Sequence, residues 1–269
     1  MSKLKEYSEL TFADDFMFCK VLTSKPELCK ELLELILGIK IKKIDFPEAQ
    51  KSIKQTYDSR GIRLDVYVED DSNTVYDLEM QTTKQVDLPK RTRYYQGIID
   101  LNLIEKGAKF RALKKSYIIF ICLTDPFGKN LPIYTFENKC LQDASVTLGD
   151  EAYKIIINAN GNREGLTDEM SNFLDFLQGK DNGGVLSGKL DLAVKNAIEN
   201  NQWEVDYMTM SMKVQSERED AAIEATIESY RELKALDEAI IYKLMSKFDL
   251  TENEAKEKIL EYDKSIQLV

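Results

Sequence analysis

The sequence predicts an α/β fold followed by a helical C-terminal region, on three observations. Arg63 to Val68 and Val75 to Gln81 alternate in polarity like the two arms of a β-hairpin. Tyr117 to Leu123 is a continuous apolar run, the pattern of a strand buried on both faces. From Leu186 onward, strand signals give way to helical ones. With 269 residues, 43% hydrophobic and 31% charged, the chain is long enough for one sizeable core plus an appended helical region.

Taken in order, Thr11 and Asp14 have the spacing of a capping box with Asp in the place of Glu. They predict a first helix from about Phe12 to Thr23, with Asp14 and Asp15 in its first turn. Acids there already favour the helix dipole, so the pair has a structural role as readily as a catalytic one. Ser24, Pro26 and Gly38 bracket a second helix whose Leu28, Leu32, Leu35 and Ile36 form an apolar stripe. Ile39 to Phe46 alternates imperfectly and is expected to supply the first strand. Beyond the hairpin, Asp87 and Pro89 open a helix running to about Lys106. Lys90, Arg91 and Arg93 in its first turns oppose the helix dipole. That placement is easier to understand if a phosphate approaches the helix end and is bound by backbone amides with Arg91 or Arg93. Tyr94 and Tyr95 recur at helical spacing with Ile98 and Ile99, which reads as packing more often than as base stacking.

Tyr117 to Leu123 is expected to be the central strand, closed by the turn Asp125-Pro126-Phe127-Gly128. Leu131 to Phe136 and Glu151 to Ile157 add strands, and Gly161 to Gly165 and Asp181 to Gly184 are breaks. The expected division is a core over 1–160 and a helical region over 161–269. In the latter, Ile223, Ile227, Tyr230 and Leu233 form a narrow helical stripe, suited to docking on the core or to a helix pair in a homodimer. Its polar face is acidic, which argues against a membrane surface. Met208, Met210 and Met212 alternate at period two and sit oddly in a helix, whereas Thr251 and Glu254 form a capping box for the last one.

The hairpin carries the chemistry. With Asp70 to Thr74 as the loop, Glu69 pairs with Val75, and the same register sets Asp65 across from Glu79 and Arg63 across from Gln81. Alternation puts Ile62, Leu64, Val66 and Val68 on one face, with Arg63, Asp65 and Tyr67 on the other. Asp77, Glu79 and Gln81 share a face of the second arm. Two carboxylates directly opposed lie about 4.5 to 5.5 Å apart at Cβ and repel. A hard divalent cation offsets that repulsion, Mg²⁺ being common where phosphate is the substrate. The alternative is a solvated face of ordinary acids.

Asp65 followed by Glu79-Met80-Gln81 resembles the PD-(D/E)XK nuclease signature in the variant whose last Lys is Gln. Upstream, Leu10 to Leu22, with its Asp14-Asp15-Phe16-Met17-Phe18 centre, is similar to the opening helix of the Rpn recombination-promoting nucleases, also described as PD-(D/E)XK family transposases. The resemblance covers roughly residues 8–140 and implies a restriction-endonuclease-like αβββαβ core with a mixed central sheet. It also implies a metal-dependent endonuclease acting on DNA. Carried over, Asp65 and Glu79 ligate Mg²⁺, with Mn²⁺ as a substitute, and the Met80 carbonyl completes the protein's share of the shell. Asp15 is the first match to the acid of the opening helix and Asp14 the second. Gln81 would position the attacking water, but an amide cannot supply positive charge to the transition state.

Composition narrows the chemistry further. The chain has no histidine, which excludes His-dependent triads and HExxH zinc hydrolysis and leaves carboxylate and metal chemistry. The net charge of −10 sits awkwardly with a polyanionic partner, but it is unevenly spread. Residues 1–130 hold 22 Lys and Arg against 20 Asp and Glu, and residues 131–269 hold 15 against 27, so the acidity belongs to the second half. Cys19, Cys29, Cys122 and Cys140 lack CxxC spacing and lie in apolar contexts, the pattern of buried reduced thiols suited to the cytoplasm. The longest apolar run is far below the roughly 20 residues that span a bilayer, and Met1 to Glu6 does not open a secretory signal. The expected activity is therefore a Mg²⁺-dependent DNA endonuclease that promotes recombination or transposition. The alternative is a weakened nuclease fold that acts in regulation or protein interaction.

Overall fold

The two arms read from the alternation form β2 (Ile62–Glu69) and β3 (Val75–Gln81), joined by the expected loop. The structure, a computed structural model, describes residues 5–53, 62–180 and 183–267. Ahead of the arms come α1 (Asp15–Ser24), α2 (Pro26–Leu37) and β1 (Glu48–Ile53). After them come α3 (Leu88–Leu103), β4 (Ser116–Cys122), β5 (Ile133–Phe136), β6 (Ala152–Asn158), α4 (Asp168–Leu177) and α5 (Val185–Ile198). The six strands form one mixed sheet in the order β1-β2-β3-β4-β6-β5. β1, β2 and β3 are antiparallel neighbours, while β3, β4 and β6 run parallel. This is the expected αβββαβ order with a mixed sheet. α3 is the crossover that lets β4 lie parallel to β3, a connection a tight turn cannot make.

Apolar residues on the two faces build two cores. One face packs Val66, Val68, Leu78, Ile119, Ile121 and Ile157 against Phe18, Leu22, Leu32 and Leu33 of α1 and α2 and against Phe173, Leu174 and Leu190 of α4 and α5. The other packs Leu64, Val75, Ile118 and Phe120 against Leu88, Tyr95, Ile98 and Ile99 of α3. β4 is buried on both sides, as its unbroken apolar run requires. Because α4 and α5 complete the first core, the compact unit holding the sheet runs from Ser8 to Asn200, past the boundary expected at residue 160. The helices α6 (Asn201–Glu232), α7 (Asp237–Phe248) and α8 (Glu252–Gln267) belong to a second unit. Within it Ile223 and Ile227 pack on Ile240, Leu244, Ala255 and Ile259, so part of the narrow stripe of α6 is used inside its own unit. Thr251 and Glu254 form their reciprocal capping box, with Thr251 N–H donating to Glu254 at 2.8 Å and Glu254 N–H to the Thr251 hydroxyl at 3.3 Å. No helix among the described residues is long and apolar enough to cross a membrane.

Several local expectations are corrected. α1 begins at Asp15 rather than at about Phe12, because the Asp14 carboxylate turns back to accept the Thr11 N–H and hydroxyl, and residues 11–14 form a turn. Asp14 therefore sits at the N-cap. Residues 39–46 make only an isolated bridge, Ile44 to Asp70, and the first strand starts at Glu48, since Ile41 and Ile44 anchor the segment to the core singly and not as an alternating face. α3 ends at Leu103, short of Lys106, and Asp87 stands at its N-cap without a side-chain capping bond. Cys19, Cys29 and Cys122 are buried thiols as expected, but Cys140 is half-buried in an irregular segment. The face assignment of β2 fails in its first half: Ile62 and Leu64 join the α3-side core, while Val66 and Val68 join the other. The alternation slips at Asp65, opposite Gln50 of β1, whose φ of 51° is left-handed.

Candidate active site

The site is built where the β2–β3 ladder stops. Glu69 to Val66 pair with Val75 to Leu78 in the expected register, but the main-chain pairing goes no further. At the next position, where Asp65 and Glu79 would be opposed, side chains take over from main-chain acceptors. The Asp65 N–H donates to Glu79 Oε1 at 2.9 Å, and the Met80 N–H donates to Asp65 Oδ2 at 3.0 Å. The two strands part here, and each acid holds its neighbour's backbone.

Asp77, Glu79 and Gln81 share one face of β3, as alternation requires, each beside an α3-side residue of β4: Ile118, Phe120 and Cys122. Asp77 and Glu79 are fully buried and Asp65 is 9% exposed. Burial pushes Asp65 up to about 8, with Glu79 and then Asp15 adding to the shift. Burial likewise holds Glu79 well above the carboxylate range, reinforced by Asp77, and holds Asp77 there, reinforced by Asp65. No N–H or hydroxyl donor reaches either carboxylate oxygen of Asp77, although both are buried; the group beside it is the Glu79 carboxyl, which donates to Asp77 when protonated. An acidic group so short of donors is costly in its charged form.

α1 brings a second set of groups to Asp65. Asp15 and Cys19, four residues apart on one helix face, place a carboxylate oxygen and the thiol so that these and an Asp65 oxygen all lie within 4.8 Å of one another. The Cys19 thiol donates to the Asp65 carbonyl at 3.4 Å and is kept neutral, chiefly by burial and then by the charge of Asp65. Glu79 does not belong to this cluster. Its Oε1 accepts the Asp65 amide, and its Oε2 accepts Arg91 Nη2 at 2.7 Å. Arg91, reaching from α3, also donates from Nη1 to Gln81 Oε1 at 3.0 Å, while Gln81 Nε2 donates to the Thr83 carbonyl at 2.9 Å.

Of the residues singled out from the sequence, the structure therefore joins Asp15 to Asp65 and Arg91 to Glu79 and Gln81. Met80 meets Asp65 through its amide. Lys90 and Arg93 are exposed on the first turns of α3, and Asp14 is engaged with Thr11 outside the cluster. Sequence reasoning missed Cys19, Asp77 and Tyr95. The i, i+4 spacing from Asp15 pointed to Cys19, and the shared face with Glu79 pointed to Asp77. Tyr95 accepts Arg91 Nε at 2.9 Å one helical turn on, and packs on Phe120.

The donor set fits a hard divalent cation: of the three groups close enough to share an ion, Asp15 and Asp65 offer carboxylate oxygens beside the Cys19 thiol, and no N–H or hydroxyl reaches Asp77. Residues 13–179 match the family described as PD-(D/E)XK nuclease family transposase. No curated protein and no solved structure gives a match.

Proposed function

The chain belongs to the PD-(D/E)XK nuclease transposase family, and from that membership we propose that it is a metal-dependent DNA endonuclease hydrolysing phosphodiester bonds. The observation that carries this reading is the buried Asp65 and Glu79 carboxyls at the opened end of the hairpin, with Asp15 of α1 beside Asp65. Asp65 and Glu79 would hold the ion, Mg²⁺ or in its place Mn²⁺, with Asp15 and the Met80 carbonyl as further oxygen ligands. Such an ion supplies charge neutralisation at the phosphoryl group and lowers the pKa of water at neutral pH. The protein's own share is to fix these oxygens on two strands and a helix, and to present Gln81 to the attacking water. Lys90 and Arg93 on the exposed start of α3 would meet the DNA backbone, where phosphate contacts set position more than sequence preference. The free thiols suit a reducing cytoplasm. In α6, Val205, Met208 and Met212 remain exposed and offer an apolar strip for a homodimer contact.

A second reading is favoured by Gln81: a nuclease fold weakened in cleavage that acts in regulation or protein interaction. Incubation of the purified protein with supercoiled plasmid and Mg²⁺ or Mn²⁺, beside Asp65→Ala and Glu79→Ala, separates the two. The endonuclease reading expects nicked or linear product from the wild type alone. A wild type inert with both ions supports the second reading, and cleavage that survives in both variants removes this site from consideration.

A further inference from the structure

Gln81 cannot carry charge, yet the acids around it are buried and mutually repelling. Resting on the nuclease reading above, we infer that Arg91 of α3 supplies the site's positive charge to β3 in place of a cationic side chain at position 81, and so acts as its positioning residue.

Three features of the guanidinium support this. Its two terminal nitrogens bridge Glu79 Oε2 and Gln81 Oε1, residues two apart on one face of β3, so one planar fork registers both side chains. An ammonium point charge lacks that geometry. The third nitrogen donates to the Tyr95 hydroxyl, and the guanidinium carbon lies 5.0 Å from the ring centres of both Tyr95 and Phe120. All three nitrogens and a π-face therefore hold it, which makes it a pre-set charge and not a mobile surface side chain. Finally, the Arg91 side chain is 30% exposed whereas that of Glu79 is wholly buried. The Arg91 side chain thus reaches from partial solvent exposure to a buried acid. A neighbour on the same turn such as Arg93 is exposed, so the basic start of α3 is divided: Arg91 faces the acids and Lys90 and Arg93 face outward.

The test compares wild type, Arg91→Gln, Arg91→Lys and the charge-transposed double variant Gln81→Lys/Arg91→Gln, each checked for folding by circular dichroism. Two readouts are used: single-turnover plasmid cleavage against DNA concentration, and calorimetric titration with Mn²⁺. Arg91→Gln is expected to lower the saturated cleavage rate by about 100-fold or more, with half-saturating DNA changed by less than about threefold. Arg91→Lys recovers only part of this. Gln81→Lys/Arg91→Gln recovers at least about tenfold over Arg91→Gln, because the charge has returned from helix to strand. Mn²⁺ should bind Arg91→Gln about threefold or more tightly than wild type, since a cation has left the cluster, and the transposed variant should return towards wild type. A strut role predicts the opposite, weaker Mn²⁺ binding that Gln81→Lys does not correct, and that result overturns the inference. So does an Arg91→Gln loss confined to DNA affinity. A wild type that cleaves nothing counts against the nuclease reading, while the Mn²⁺ titration still decides the role of Arg91. If Arg91→Gln does not fold, Arg91→Lys and Gln81→Lys in the wild-type background give the same Mn²⁺ comparison, with weaker binding expected where charge is added.

Discussion

The two ends of the β2–β3 hairpin carry acids of the same kind in opposite circumstances. At the closed end Asp70 is saturated: Oδ1 accepts the Ser72 and Thr74 amides at 2.8 Å each, and Oδ2 accepts the Tyr76 hydroxyl at 2.7 Å. Its neighbour Glu69 is pushed up by burial, but hydrogen bonds from Lys114 and the Tyr67 hydroxyl outweigh that and bring it below the usual carboxylate range. Towards the open end, burial drives Asp65 and Glu79 upward, and Asp77 with them from within the paired stretch, and Arg91 is the cation hydrogen-bonded to Glu79 among the described residues. The same hairpin thus holds acids whose donors outweigh their burial, such as Glu69, and acids whose burial outweighs their donors, such as Asp65 and Glu79. Shifted carboxyl groups set together gather at functional sites, and structural ion-pair networks shift them as well.

The largest expected effect that would break this contrast is on activity. Glu79→Gln or Asp65→Asn should reduce plasmid cleavage by about 100-fold or more, while Glu69→Gln, equally part of the hairpin, stays within about threefold. Equal losses at both ends would abolish the distinction. Next comes stability without metal. Burial, then the neighbouring Glu79, pushes the Asp65 carboxyl up to about 8 from an ordinary 3.8, so the fold resists its ionised form. Its contribution is intact below about pH 3.8 and is lost as pH rises towards 8. Metal-free Asp65→Asn should therefore be more stable than wild type at pH 7, by about 2 to 4 kcal/mol as an upper bound, and should show no advantage at pH 4. Thermal melts at the two pH values check this, and added Mn²⁺ should raise the wild-type midpoint but not that of Asp65→Asn.

At the closed end, Asp70→Ala orphans two loop amides and a buried tyrosine hydroxyl and should cost about 2 kcal/mol in urea unfolding with cleavage retained. The smallest effect tests the sign. Glu69 has a lowered pKa, so its contribution is present above the ordinary carboxylate range and is lost as pH falls through it. Glu69→Gln should cost about 1 kcal/mol or less at pH 7, its partial exposure screening the ion pair, and should converge on wild type in acid. Destabilisation that grows in acid would contradict the assignment.

Much of this was legible along the chain because it depends on local period and spacing. The hairpin arms, their five-residue loop, the register from Glu69 to Val66 and the fully buried β4 follow from alternation and apolar content. The capping box at Thr251 and the left-handed Gly38 that ends α2 are equally local. The illegible parts involve partners distant in sequence. Nothing near Arg91 says that it will bridge Glu79 and Gln81 and not face solvent, and nothing near Asp65 says that the strand will slip its face there. Cys19 enters the cluster only because α1 packs over the very point where β2 departs from its ladder.

By itself the amino-acid order determined the α/β succession, the hairpin register and the set of acids available for chemistry, since these follow from the period-two geometry of strands and the burial preference of apolar side chains. Tertiary packing alone decided which acids lose their solvent, which find donors, and that one arginine of α3 turns inward while its neighbours face out. Desolvation and charge proximity depend on what lies across the sheet, and neither is written in the spacing of residues along one strand.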